Sequence, residues 1–262
     1  MTEYAVARSS KHKANEAVHI LLNLMLGIFS VFLTVLSGNP ALSIILVIAS
    51  KWRVFAVRWR YLFFNIRANI IDFVVGLSIV ALTYIAGSDA LAVDIILAVI
   101  YSIWLIAIKP ISSERGALIQ GLIAVFLGAT AISEITATAN EIVPTILAYI
   151  LGYAVSRHVY NQSEESDFEL ITHICGLVFA EITLLCHIWN IIYTIEIAGS
   201  KLQFSQLAVI LTVLTLVYDR IRVSIFKYDN HLKISDIIAP IVYGIVIIAA
   251  AVLWFSNPIF NI

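Results

Sequence analysis

Nine apolar runs separated by short polar breaks constrain this chain more than any other feature. They cover 17–37, 41–57, 70–87, 90–108, 116–133, 142–156, 170–194, 204–218 and 237–255. A helix needs roughly 17–25 apolar residues to cross a hydrocarbon core of about 30 Å, and most of the runs meet that length. Composition agrees. The chain is 61% hydrophobic and 13% charged, against about 45–50% and about 25% in soluble domains. A soluble fold could not cover that much apolar surface, so a soluble enzyme, a disordered chain and a disulfide scaffold are excluded. The expected fold is an all-α polytopic membrane bundle of about nine transmembrane helices. It forms one domain over 17–255, with a polar tail at 1–16 and a short external tail at 256–262.

Turn chemistry marks most of the breaks: Gly38-Asn39-Pro40, Gly87-Ser88-Asp89, Lys109-Pro110 and Gly199-Ser200. Ala17 to Ser37 carries no small-residue cleavage site before its turn, so it reads as an uncleaved first span rather than a signal peptide. Runs 41–57 and 142–156 are short, and the latter contains Pro144, which leaves re-entrant elements as the alternative. The distribution of Lys and Arg decides between them. With the N-terminus inside and nine crossings, the inside segments collect fifteen of the sixteen basic residues and the outside only Lys201. Removing run 41–57 reverses the asymmetry, so the positive-inside rule favours nine spans, N-in and C-out, in a cytoplasmic membrane. Trp52, Trp59 and Tyr61 then sit at the inner boundary, with Tyr84, Trp189, Tyr193 and Trp254 near the outer one.

A net charge of −1 and the absence of a basic domain exclude a nucleic-acid partner. Cys175 and Cys186 lie eleven residues apart in one run, roughly 16 Å along a helix, and read as packing residues rather than a disulfide. Ile-Ala-Gly-Ser recurs at 85–88 and 197–200, each time at the expected outer end of a span. Such matches arise easily in a chain of Ile, Ala, Leu and Val.

The costly residues are the candidate sites. Glu181 lies mid-span in 170–194, where an acid costs about 2.5–3.5 kcal/mol and is expected to face protein or a water-filled cavity. It reads either as a proton or cation site or as a protonated, hydrogen-bonded structural acid. His173 and His187 flank it on the same helix, roughly 21 Å apart, too far to share a metal but placed as steps of a titrating path. Asp94 joins them as an outer candidate. Asp72 reads as an inner-end acid that pairs with Arg67 or another inner-face base. Ala117, Gly121, Ala124, Gly128 and Ala131 form a small-residue stripe, continued by Ala148, Gly152 and Ser156. That spacing lets helix backbones approach closely, as a tight hairpin or as a homo-oligomer seam. Lys51, Arg53, Arg58 and Arg60 stand in a basic, aromatic, acid-free segment suited to anionic lipid at the inner face. Glu164, Glu165, Asp167 and Glu169 form an acidic patch that could dock a basic partner.

The chain has no G-x-x-x-x-G-K-[ST], H-E-x-x-H, G-x-S-x-G or paired CxxC. No cofactor and no metal site are expected. The first functional expectation is a small-solute or ion transporter or channel, proton-coupled through Glu181. The alternatives are an accessory subunit of a membrane assembly and an intramembrane lipid-modifying enzyme.

Overall fold

The structure, a computed structural model, describes residues 2–160, 168–228 and 233–254, with side chains described from residue 15 onward except Phe226 and Trp254. Its helices are α1 (Thr2–Ser37), α2 (Ala41–Ser50), α3 (Trp52–Phe55), α4 (Trp59–Ala68), α5 (Ile70–Ala86) and α6 (Leu91–Ile103). These are followed by α7 (Glu114–Ile135), α8 (Ile142–Tyr160), α9 (Phe168–Ile188), α10 (Gln206–Lys227) and α11 (Ile234–Ala249). A hairpin, β1 (Ile192–Ile197) and β2 (Ser200–Ser205), separates α9 from α10. α6 runs on through a π turn at Trp104–Ile108, and α11 through another at Ala250–Trp254.

Among the described residues, six helices are long and apolar enough to cross a membrane, or seven if α4 and α5, bent by 64°, count as one span. Several boundaries differ from the sequence reading. Run 41–57 is not one continuous helix: α2 has 10 residues, about 15 Å of rise, and breaks at Lys51 before the short α3. The break follows from Lys51, whose ammonium is drawn into a buried ion cluster described below. Run 142–156 is a full helix of 19 residues. Pro144 sits in its first turn, where the missing N–H has no intrahelical partner to lose.

Run 170–194 ends early, at Ile188, and the chain then forms an antiparallel ladder pairing Ile192 with Ser205 through Ile197 with Ser200. The two-residue turn, Ala198-Gly199, has positive φ at both positions (49° and 80°), the twist a tight hairpin needs. The second Ile-Ala-Gly-Ser is therefore a hairpin turn, whereas the first ends α5. Backbone edges of a hairpin cannot face hydrocarbon unpaired. Here Phe204 packs on Phe126 of α7 and on Tyr193, and Tyr193 Oη donates to the Ala251 carbonyl at 2.6 Å.

The core is the set of faces that α5, α6, α7 and α8 turn toward one another, with α1 and α2 on one side and α9 and α10 on the other. Contacts sort the element ends into two groups. At one end meet Lys51 after α2, Asp72 at the start of α5 and Lys109 after α6, and also Arg67, Arg157 and Glu169. At the other end, Ala86 of α5, Val93 of α6, Glu134 of α7 and Lys201 of the hairpin line one small cavity.

Candidate functional site

A cluster built on two buried charges, Asp72 and Lys51, lies at the first of these ends. Asp72 lies in the first turn of α5 and is almost fully buried, as is Lys51. Asp72 Oδ2 pairs with the ammonium groups of both Lys51 and Lys109, and Oδ1 accepts from Trp104 Nε1 at 3.0 Å. The Lys51 ammonium also lies 6.0 Å from the centre of the Phe73 ring. A carboxylate out of water needs its lone pairs filled, and Asp72 receives three donors, one from the end of α2 and two from the end of α6. Of the two expected kinds of partner for Asp72, Arg67 or another inner-face base, the structure shows the second: Lys51, 21 residues before it, and Lys109, 37 after it. Lys51 is accordingly buried inside the protein rather than displayed to lipid, whereas Arg53, Arg58 and Arg60 are exposed. That removes Lys51 from the lipid-facing set and leaves the other three on the surface.

Beside the cluster, α6 widens into its π turn, with Lys109 N–H donating to the Trp104 carbonyl at 2.8 Å. The loosened helix end leaves carbonyls for Gln120, buried on α7, to collect. Its Nε2 donates to Ile108 at 2.8 Å, Ile111 at 3.0 Å and Lys109 at 3.3 Å, while Oε1 accepts from His158 Nε2 at 2.7 Å.

A second network joins α4, α8 and α9. Glu169 takes Arg157 Nη1 at 2.6 Å and Arg67 Nη2 at 3.3 Å, and Arg67 also pairs with the Tyr153 hydroxyl. Glu164, Glu165 and Asp167 of the acidic patch lie outside the described residues. His173, exposed, stacks between Tyr149 and Tyr153, with Nδ1 2.6 Å from the Tyr149 hydroxyl.

At the opposite end Asp94 is buried in the first turn of α6, and its Oδ1 has no hydrogen-bond partner among the described residues. Glu134 Oε1 is in the same state and borders a cavity of about 30 Å³ that Lys201 also lines.

Glu181 faces the other way from the expectation. The buried residues of α9 are Thr172, Gly176, Phe179, Ala180, Thr183 and Cys186. At about 100° per residue, Glu181 falls in the middle of the opposite, exposed face. It is not among the residues that line the apolar cavity of about 270 Å³ between α8, α9 and α10. His187 is half-buried, and no contact joins it or His173 to Glu181. The three do not form a site together. Among the described residues, no three His, Cys, Asp or Glu side chains converge as metal ligands.

The small-residue stripe lies inside the chain. A Cβ on Gly121 would stand 2.6 Å from Val159, and one on Gly128 2.9 Å from Leu151, both on α8. Ala117, Ala124 and Ala131 are buried on the same helix. Gly152 carries the contact onward to α9, where a Cβ would meet Phe179 at 2.7 Å and the Cys175 carbonyl at 2.9 Å. The stripe is spent within the bundle and is not a surface seam.

Compared with protein-family models, curated proteins and solved structures, the chain matches none.

Proposed function

We propose that this chain is a multi-pass protein of a cytoplasmic membrane that serves as an accessory subunit of a membrane assembly, with α9 as its docking helix. The observation that carries the reading is the direction of Glu181, outward from the bundle at mid-helix. An acid turned to lipid at that depth costs about 2.5–3.5 kcal/mol, a cost that a donor on a partner helix offsets. The residues around it have the spacing of a helix–helix seam. Leu170, Ile174, Leu177, Glu181, Leu184 and Ile188 recur at intervals of four and three, and all are exposed. Self-association through this seam would set Glu181 against Glu181, so a different chain carrying a cation or an amide at that depth suits it better.

Nine crossings with the N-terminus inside are supported by the grouping of element ends. The positions expected inside, Lys51, Arg67, Lys109 and Arg157, are engaged in ion pairs at one end, while Lys201 lies at the other. In this arrangement α2 accounts for the second crossing, reaching the inner end at Lys51, and α10 for the eighth.

A photo-crosslinking residue at 177 or 184, in native membranes, is expected to give one discrete heteromeric adduct, and none at 245 on α11. Glu181→Lys should abolish the adduct while the chain stays inserted and folded. Adducts with lipid alone, or only with a second copy of this chain, would overturn the reading.

A second reading, transport of a small solute or ion, is favoured by Asp94, a buried carboxylate with an oxygen unpartnered among the described residues. On that reading, pH-gradient dissipation in proteoliposomes is present in wild type and lost in Asp94→Asn. Wild-type protein that dissipates no gradient would remove proton-coupled transport.

A further inference from the structure

We propose that Arg67, Arg157 and His158 form a binding site for a phosphate-bearing anion at the inner end of the bundle. These three side chains, with Phe64 and Ala68, line a cavity of about 90 Å³ that no acidic residue among the described residues borders. The space is of the order of a phosphate group with its first ester carbons. It lies where the last turn of α4 meets the last turn of α8.

The charges around the cavity do not cancel. Two guanidinium groups share one carboxylate, Glu169, which draws one nitrogen from each. A guanidinium carries five N–H donors in a fixed fork, so most of this donor capacity is left over. One of those donors is identified directly: Arg67 Nε is buried and has no acceptor among the described residues. An unsatisfied buried donor on a charged group is costly unless an acceptor arrives. An anion in the cavity would draw on the guanidinium N–H groups of the two arginines that line it, and the guanidinium fork matches the two free oxygens of a phosphodiester.

The side chains are held in place before any ligand comes. Arg67 lies over the rings of Phe63 (5.4 Å) and Tyr153 (5.6 Å), and Arg157 over Phe168 (5.3 Å). His158 donates Nε2–H to Gln120 Oε1, so the neutral ring has only an acceptor left at Nδ1; it forms part of the wall, and the two guanidinium groups supply the donors. Arg53, Arg58 and Arg60, by contrast, are exposed on the surface and line no part of this cavity.

The position suits a lipid headgroup. α4 departs from α5 by 64° and exposes Trp59, Phe63 and Phe64, the residue types that settle at headgroup depth. A soluble phosphate ester offers the same chemistry, so the experiment separates the two sources. The purified full-length chain in detergent is titrated with phosphatidylglycerol, phosphatidylcholine and glycerol 3-phosphate, and bound ligand is read by native mass spectrometry. Wild type is expected to hold one phosphatidylglycerol well above phosphatidylcholine. Arg157→Gln or Arg67→Gln should weaken that binding about tenfold, the loss of one charge-assisted contact. Ala68→Leu fills the cavity with both charges intact and should weaken it comparably, whereas Arg60→Gln should not. Competition by glycerol 3-phosphate at the same site would assign a soluble ester as ligand, and its failure to compete would assign the lipid. Phosphatidylglycerol binding that survives both Arg157→Gln and Ala68→Leu would overturn the site, as would equal binding of phosphatidylcholine.

Discussion

α7 and α9 have nearly the same length, 22 and 21 residues, and the same mean hydropathy, yet 67% of one and 33% of the other is buried. Hydropathy therefore does not decide which helix becomes the centre of this bundle. Between helices in lipid there is no hydrophobic driving force, and close packing takes its place. α7 carries Gly116, Ala117, Gly121, Ala124, Gly128, Ala129 and Ala131 on buried positions, so neighbours approach it on several sides. α9 offers one small face, Thr172, Gly176, Ala180 and Thr183, and presents Leu and Ile elsewhere. The polar side chains divide in the same way. Gln120 of α7 is buried with partners for both ends of its amide, while Glu181 of α9 points outward with none shown among the described residues.

The sharpest test of this contrast is steric. Gly152 sits where α8 meets the small face of α9, and an added side chain there meets a backbone carbonyl as well as Phe179. Gly152→Leu is expected to cost about 3 kcal/mol, the upper end of the usual overpacking range, because a backbone atom cannot rotate aside. Leu177→Ala on the exposed face of α9 should change the stability of the isolated chain by under about 0.5 kcal/mol. Thermal unfolding in detergent measures both. Equal effects at the two positions would mean that the two faces of α9 are packed alike, and the contrast would fail.

What the sequence made legible follows from the same physics. Residue size is written in the chain, so the α7 stripe could be read at Ala117, Gly121, Ala124, Gly128 and Ala131 without coordinates. The direction of Glu181 was also encoded, though by its neighbours: Thr172, Gly176, Ala180 and Thr183 mark the packed face, and Glu181 lies opposite. The hairpin left a weaker signal. Ile192–Ile197 continues the apolar pattern of α9, and only the Ala198-Gly199 turn between two strand-forming segments betrays it. The break at Lys51 was not legible, because it depends on Asp72 and Lys109, which reach it only once α2, α5 and α6 have packed. The Arg67, Arg157 and His158 cavity is of the same kind, made of residues from two distant helices that share no motif.

The finer test exchanges polar for apolar on each of the two helices. Gln120→Leu removes the donor that serves three carbonyls at the end of α6 and the acceptor that holds His158. The half-buried imidazole loses its partner and the Ile108 carbonyl keeps only the Ile111 N–H, so a loss of about 1 kcal/mol is expected. Glu181→Leu makes the same kind of change on a helix of equal hydropathy, but it removes no hydrogen bond made within the described chain and vacates no buried space. In the isolated protein it should be neutral, or stabilising by under about 1 kcal/mol in a lipid nanodisc, since the desolvation of an outward acid is relieved. The two variants should thus move unfolding in opposite directions or leave only the α7 variant affected. A destabilisation by Glu181→Leu as large as that by Gln120→Leu would place a partner for Glu181 within this chain and return the acid to the bundle interior. A neutral result in the isolated chain, combined with loss of the heteromeric crosslink at 177 and 184, would separate the two roles: α7 holds the fold together, and α9 faces what the fold was built to meet.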